Sequence, residues 1–244
     1  MKAQEIRMIH RGKYLSYYEI DYADELGHKK TYEMCSRAGS SNAGSPPALS
    51  LNDIGKTVHA VSLLVFNEDM TKTLVNYEFR MGVNRHVVNN IAGLVENGES
   101  ITCAAQRELF EETGLHLTAV LDVLMPSIVC AGVTDECVPL VVCQAKGEIL
   151  GSDSIYEDIQ SFWMDKRQVT ELLEDREIIM ASRTQALLYA WVCGAEFGKA
   201  DVRRYDPFEI NELQKSMIGR GIDYETSELV IHDFLWRRKN LLHK

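Results

Sequence analysis

Glu108, Glu111 and Glu112 set three carboxylates close together in the chain, with Arg107 beside them and Glu99 a short way upstream. Such a set can hold a divalent cation, move a proton or face solvent, and for an arbitrary helix the solvated acidic face is the commonest arrangement. The surrounding residues argue otherwise. Ser100 offers a polar start, Ala104 through Leu109 are good helix formers, and Gly114 followed by apolar Leu115 supplies a stop, which together predict a helix. At about 100° per residue the three glutamates fall within roughly 60° of their mean direction. Ile101, Ala104 and Ala105 lie on that same face, so the carboxylates continue an apolar stripe. They also sit near the helix C-terminus, where the macrodipole disfavours anions, and Glu108 and Glu112 form a like-charge i,i+4 pair. Within the segment only Arg107 offsets this. A cation is the missing partner, and oxygen donors without His or Cys favour Mg²⁺ or Mn²⁺ over zinc.

The elements that must position this helix follow from pattern. Residues 58–66, 73–79, 86–91, 119–129, 138–145 and 159–164 read as strands, and 166–173 and 184–193 as helices. Strands on both sides of a central helix, with helices after them, suggest an α/β/α layered domain. Further upstream, 13–22 and 28–35 read as two strands around a turn at Glu25-Leu26-Gly27, a piece too small to be stable alone. A Gly/Ser/Pro-rich loop over 38–47 separates it from the rest. The expected division is 1–47 as an N-terminal antiparallel β piece with a mobile loop, 48–195 as the main α/β domain, and 196–244 as a C-terminal helical extension. In the extension, Asp206-Pro207-Phe208-Glu209 has the signature of a helix start, and a second helix carries Leu229, Phe234 and Leu241. A helical hairpin packed on its own domain or on a second copy is the simplest reading. A lid offering Trp236-Arg237-Arg238 to a nucleotide is the sharper one.

Gly93, Glu99, Arg107-Glu108-Leu109, Glu111-Glu112 and Gly114-Leu115 resemble the Nudix box, Gly-x5-Glu-x7-Arg-Glu-U-x-Glu-Glu-x-Gly-U with U aliphatic, at every defined position. The resemblance implies a Nudix-type α/β/α sandwich with a mixed sheet and hydrolysis of a nucleoside diphosphate linked to another group. By that resemblance Glu108, Glu111, Glu112 and the Ala92 carbonyl hold the metal, Arg107 orients the carboxylates and Glu99 braces Arg107. Other stretches are similar to the ADP-ribose pyrophosphatase branch, over about 12–194. Glu78-Phe79-Arg80 looks like its Gln-Tyr/Phe-Arg element, whose Arg contacts the diphosphate, a role suited to a guanidinium; the plainer reading of Arg80 is a strand-end surface residue. Cys130 to Glu136 is an ordinary turn on residue pattern alone. The branch places a substrate loop here, which marks Gly132 as substrate-binding and Glu136 as the proposed base. Three features depart from the branch: Asn89-Asn90-Ile91 replaces Glu-x-Pro before Ala92-Gly93, Glu78 replaces Gln, and the chain continues beyond the branch's usual end.

Composition bounds the rest. With a net charge of -10 the chain lacks the broad basic face that nucleic acid requires, but a small anionic substrate remains allowed. No apolar run reaches membrane-span length and the N-terminus lacks the apolar core of a secretory signal, which points to the cytoplasm. The six cysteines form no CxxC pair and read mostly as buried reduced thiols. The histidines read as surface or satisfied core residues. Tyr17, Tyr18 and Tyr32 read as packing residues, although the branch takes a base-stacking aromatic from this region. The resemblance also implies a homodimer through the N-terminal strands. ADP-ribose, split to AMP and ribose 5-phosphate, is the first expected substrate. A UDP- or GDP-sugar diphosphatase and a non-catalytic nucleotide-binding regulator are the alternatives.

Overall fold

The computed structural model describes residues 1–42, 45–152, 154 and 158–198, so the helices expected beyond 198 lie outside the described residues. The N-terminal residues form three strands, β1 (Lys2–Arg11), β2 (Ser16–Ala23) and β3 (Lys29–Ser36), in one antiparallel sheet of order β1-β2-β3. β2 alternates as a half-buried strand should: Ser16, Tyr18 and Ile20 are buried, and Tyr18 and Ile20 join Met34 in a small core lined by Leu49, Leu51 and Ile54. The sheet has one strand more than the two expected from residues 13–22 and 28–35, and the addition is β1. Most of β1 is exposed, and its pairing with β2 shifts register between Ala3 and Glu5 and again between Met8 and His10. A strand with two such irregularities carries no period-2 signal.

The remaining elements are β4 (Ala60–Phe66), β5 (Lys72–Arg80), β6 (Arg85–Asn89), β7 (Ala92–Leu94), α1 (Ile101–Thr113), β8 (His116–Ile128), β9 (Cys137–Lys146), β10 (Ile159–Asp165), α2 (Lys166–Glu174) and α3 (Ser182–Val192). The strands form a seven-stranded sheet of order β10-β5-β4-β9-β8, with β6 added to β5 and β7 to β4. β4 pairs with β9 in parallel, whereas β5 pairs antiparallel with β10 and β6, so the sheet is mixed. β4 is buried along its whole length, as expected for a strand covered on both faces. Leu64, Phe66, Val75, Val88, Leu121 and Val142 face Val169, Leu188 and Trp191 of α2 and α3. Alternate residues Val61, Leu63, Val65 and Asn76 turn to the other face. A hydrogen bond from Asn76 to Glu112 fixes α1 on that side, where it buries Ile101, Ala104, Ala105 and Leu109. The layers are therefore the expected α/β/α sandwich. Each large aliphatic side chain removed from water contributes about 1.5–3 kcal/mol, which is why the apolar stripes dictate the layering.

The chain divides into two compact units, one of Met1–Ala60 with Met125–Pro139, the other of Val61–Leu124 with the described residues from Leu140 to 198. All six cysteines are free thiols. Cys137 and Cys143 are buried as expected, but Cys130 and Cys193 are exposed because one lies at a turn and the other caps the end of α3. Among the described residues no helix is long and apolar enough to cross a membrane.

Candidate active site

Both ends of α1 form as its sequence predicts. The Ser100 hydroxyl accepts the Cys103 amide at 3.0 Å, and Gly114 takes the left-handed conformation with its N–H donating to the Phe110 carbonyl at 2.7 Å. Between these ends Arg107 organises the acidic residues. Its Nε and Nη2 donate to the two oxygens of Glu99, each at 2.9 Å, as a bidentate fork. Nη2 also donates to the Leu94 carbonyl at 2.8 Å, and Nη1 reaches Glu108 at 2.8 Å and Glu111 at 3.0 Å. Burial pushes the Glu99 carboxyl upward in pKa, but the Arg107 hydrogen bonds and the Glu96 backbone outweigh it and hold Glu99 below the usual carboxylate range. Glu99 in turn raises Arg107, which stays cationic throughout.

Glu108 lies directly under Gly93. A Cβ built on Gly93 would stand 1.8 Å from the Glu108 carboxyl carbon and 2.0 Å from each of its oxygens, so a side chain there would have to displace the carboxylate. Ala92, the residue before it, opens β7. Glu112 is buried and accepts from Asn76 Nδ2 at 2.6 Å, and Ser161 Oγ donates to Asn76 Oδ1 at 2.8 Å. Glu111 is the most solvent-exposed of the three. Among the described residues no three His, Cys, Asp or Glu side chains stand as a ready-made ligand cluster, because these carboxylates turn toward Arg107 and Asn76. The donor chemistry still fits a hard divalent cation: three carboxylates project from one stretch of α1, one of them against backbone from which a side chain is excluded.

Arg80, at the end of β5, is half-exposed and its Nε meets Glu78 Oε1 at 3.0 Å. Glu78 is buried and also accepts from Asn89 Nδ2 at 2.6 Å. Asn89 Oδ1 accepts from the Thr184 hydroxyl at 3.0 Å, and that hydroxyl accepts the Asn90 amide at 2.9 Å. Two of the sequence departures thus meet each other. The carboxylate missing at position 89 stands at position 78, and the amide missing at 78 stands at 89.

Glu136 and Gly132 belong to the first unit. Arg37 Nε donates to Glu136 Oε1 at 2.7 Å, and the Tyr32 hydroxyl donates to the Gly132 carbonyl at 2.9 Å. A Cβ on Gly132 would meet nothing closer than 3.8 Å, so crowding does not explain that glycine. Tyr18 is fully buried with its hydroxyl on the Ala38 carbonyl, which makes it a core residue. His59 corrects the expectation of satisfied histidines: it is buried, neither ring nitrogen has a hydrogen-bond partner among the described residues, and burial pushes its pKa down. Arg37, Asn76 and Ser161 join these networks without any signal in the sequence. Arg37 precedes a loop and Asn76 interrupts an apolar strand, and neither has a local motif to mark it.

The family model of the NUDIX domain matches residues 56–185. A solved structure of an ADP compounds hydrolase is similar at a TM-score of 0.54 and 19% identity, over 79% of this chain and 94% of that one, a likeness that speaks to fold. No curated protein matches the chain.

Proposed function

Because this chain belongs to the Nudix family, with a family model covering residues 56–185, we propose that it hydrolyses the diphosphate bond of a nucleoside diphosphate linked to another group, with ADP-ribose yielding AMP and ribose 5-phosphate as the leading substrate. The observation that carries this reading is the five-bond grip of Arg107 on Glu99, Glu108, Glu111 and the Leu94 carbonyl, which organises the box carboxylates. Glu108, Glu111 and Glu112, with the Ala92 carbonyl, would hold Mg²⁺ or Mn²⁺. Such an ion, when bound, neutralises phosphate oxygens and acidifies a water.

The chain's own residues would do the rest. Arg107, braced by Glu99, orients the carboxylates. Arg80 presents its guanidinium to the diphosphate, steadied at Nε by Glu78. Glu136 takes the proton from the attacking water, and Arg37 orients its carboxylate until then. The Gly132 loop would contact the substrate, and the exposure of Tyr32 and its bond to Gly132 support it as the aromatic that stacks on the base. The exposed Met8, Ile9, Tyr14 and Leu15 support a homodimer through the N-terminal unit, which light scattering on the full chain would test.

The test is turnover of a panel of ADP-ribose, UDP- and GDP-sugars, dinucleoside polyphosphates and NADH, with and without Mg²⁺. Metal-dependent release of AMP from ADP-ribose is the expected result, and Glu112→Gln should lower it by orders of magnitude. Glu136→Gln should lower it while metal binding persists; equal loss of metal affinity in both variants would make Glu136 a ligand instead. A nucleotide-sugar substrate is the second reading, which the departures at Asn90 and Glu78 permit. No turnover of any member, with tight metal-independent binding of ADP-ribose, would establish a non-catalytic regulator, which the complete box argues against.

A further inference from the structure

Asn76 is an unusual residue for its place. It sits in the middle of β5, paired on one side with Ser161 of β10 and on the other with Asn89 of β6, and is almost completely buried. Asn is disfavoured in strands, and burying its amide is costly unless every polar atom is bonded. Here both ends are bonded, and in one direction only. The Glu112 carboxylate, which can only accept, draws Nδ2 to its Oε2 at 2.6 Å, and Ser161 Oγ donates to the Oδ1 at the other end, holding the amide in place. The reverse orientation would set an amide oxygen against a carboxylate oxygen, two acceptors facing each other. The antiparallel register of β5 and β10 fixes Ser161 opposite Asn76, so the sheet supplies the hydroxyl that steadies the amide oxygen.

We infer that Ser161 and Asn76 form a positioning relay for Glu112, holding its carboxylate in the orientation that binds the divalent cation. The inference rests on the reading of α1 as the metal-holding helix. A neutral donor suits the task. Arg107 grips Glu99, Glu108 and Glu111 as a cation, whereas Asn76 meets Glu112 with a neutral amide that adds no formal charge of its own. Groups that orient a metal ligand without touching the metal change affinity by about 10–100-fold when removed.

The experiment is titration of the full chain with Mn²⁺, without substrate, followed by electron paramagnetic resonance, with circular dichroism to verify folding. Asn76→Ala should weaken Mn²⁺ binding about tenfold. Ser161→Ala should weaken it severalfold, Ser161→Thr, which keeps the hydroxyl, should match the wild type, and the double alanine variant should be no weaker than Asn76→Ala alone because Ser161 acts through Asn76. In turnover, the Mg²⁺ concentration for half activation should rise while the substrate KM at saturating Mg²⁺ stays unchanged. Wild-type Mn²⁺ affinity in Asn76→Ala overturns the relay and leaves the metal-binding helix standing. If Asn76→Ala does not fold, the Ser161 pair decides, and equal affinities for Ser161→Ala and Ser161→Thr overturn the relay. A wild-type chain that binds no Mn²⁺ overturns the metal reading of α1 and the relay with it.

Discussion

A methyl group at position 93 has no room, because the Glu108 carboxylate already occupies the space. Gly93→Ala should therefore displace Glu108 or β7, and a shift of that kind at a reacting centre costs about 100-fold in rate. Steady-state kinetics of Gly93→Ala against wild type checks this. Glu99 makes a prediction in pH. Its folded pKa is depressed, so it contributes stability above the unfolded carboxylate value and loses that contribution as pH falls through the folded value. The melting temperature of Glu99→Gln should lie below that of wild type at neutral pH, and the gap should close on acidification below the ordinary carboxylate range. At this scale the sequence was legible where one segment contains both partners, as with Arg107 and its glutamates. It was silent where the partner comes from a distant strand, as with Asn76 and Glu112, or Arg37 and Glu136.

Helix boundaries were legible because capping chemistry is local. Ser100 and Gly114 bound α1, and α2 begins within a residue of its expected start. α2 opens on a full capping box: the Asp165 side chain accepts the Gln168 amide, and the Gln168 side chain accepts the Asp165 amide. Asp165→Ala should lower stability by about 1 kcal/mol, seen as a lower urea midpoint with unchanged slope. Strand β4 was legible from its continuous apolar run. β1 was not, because bulges break its alternation, and the three residues of β7 were too few to separate from the approach to the box.

For the molecule as a whole, a net charge of -10 and a concentration of carboxylates on one helix mean that a bound divalent cation should stabilise the folded state. At about 100 times its dissociation constant the gain is about 2.7 kcal/mol, which for a chain of this length corresponds to a rise in melting temperature of roughly 5–10 °C. Calorimetry with and without Mg²⁺ should show that rise in wild type and little of it in Glu112→Gln. The layered architecture was legible at this scale from the order of strands and helices. The return of Met125–Pro139 to the N-terminal unit was not, because the parallel bridges Cys35–Thr134 and Val58–Cys137 join residues far apart in the chain. The exchanged pair at Glu78 and Asn89 bears on the ancestry of the chain. A direct exchange to the Gln and Glu of the branch it resembles, one substitution at a time, passes either through two carboxylates, which repel, or through two amides, which can still hydrogen-bond. The route through the two amides is the milder one, so Glu78→Gln should be tolerated better than Asn89→Glu, which sets two acceptors against each other.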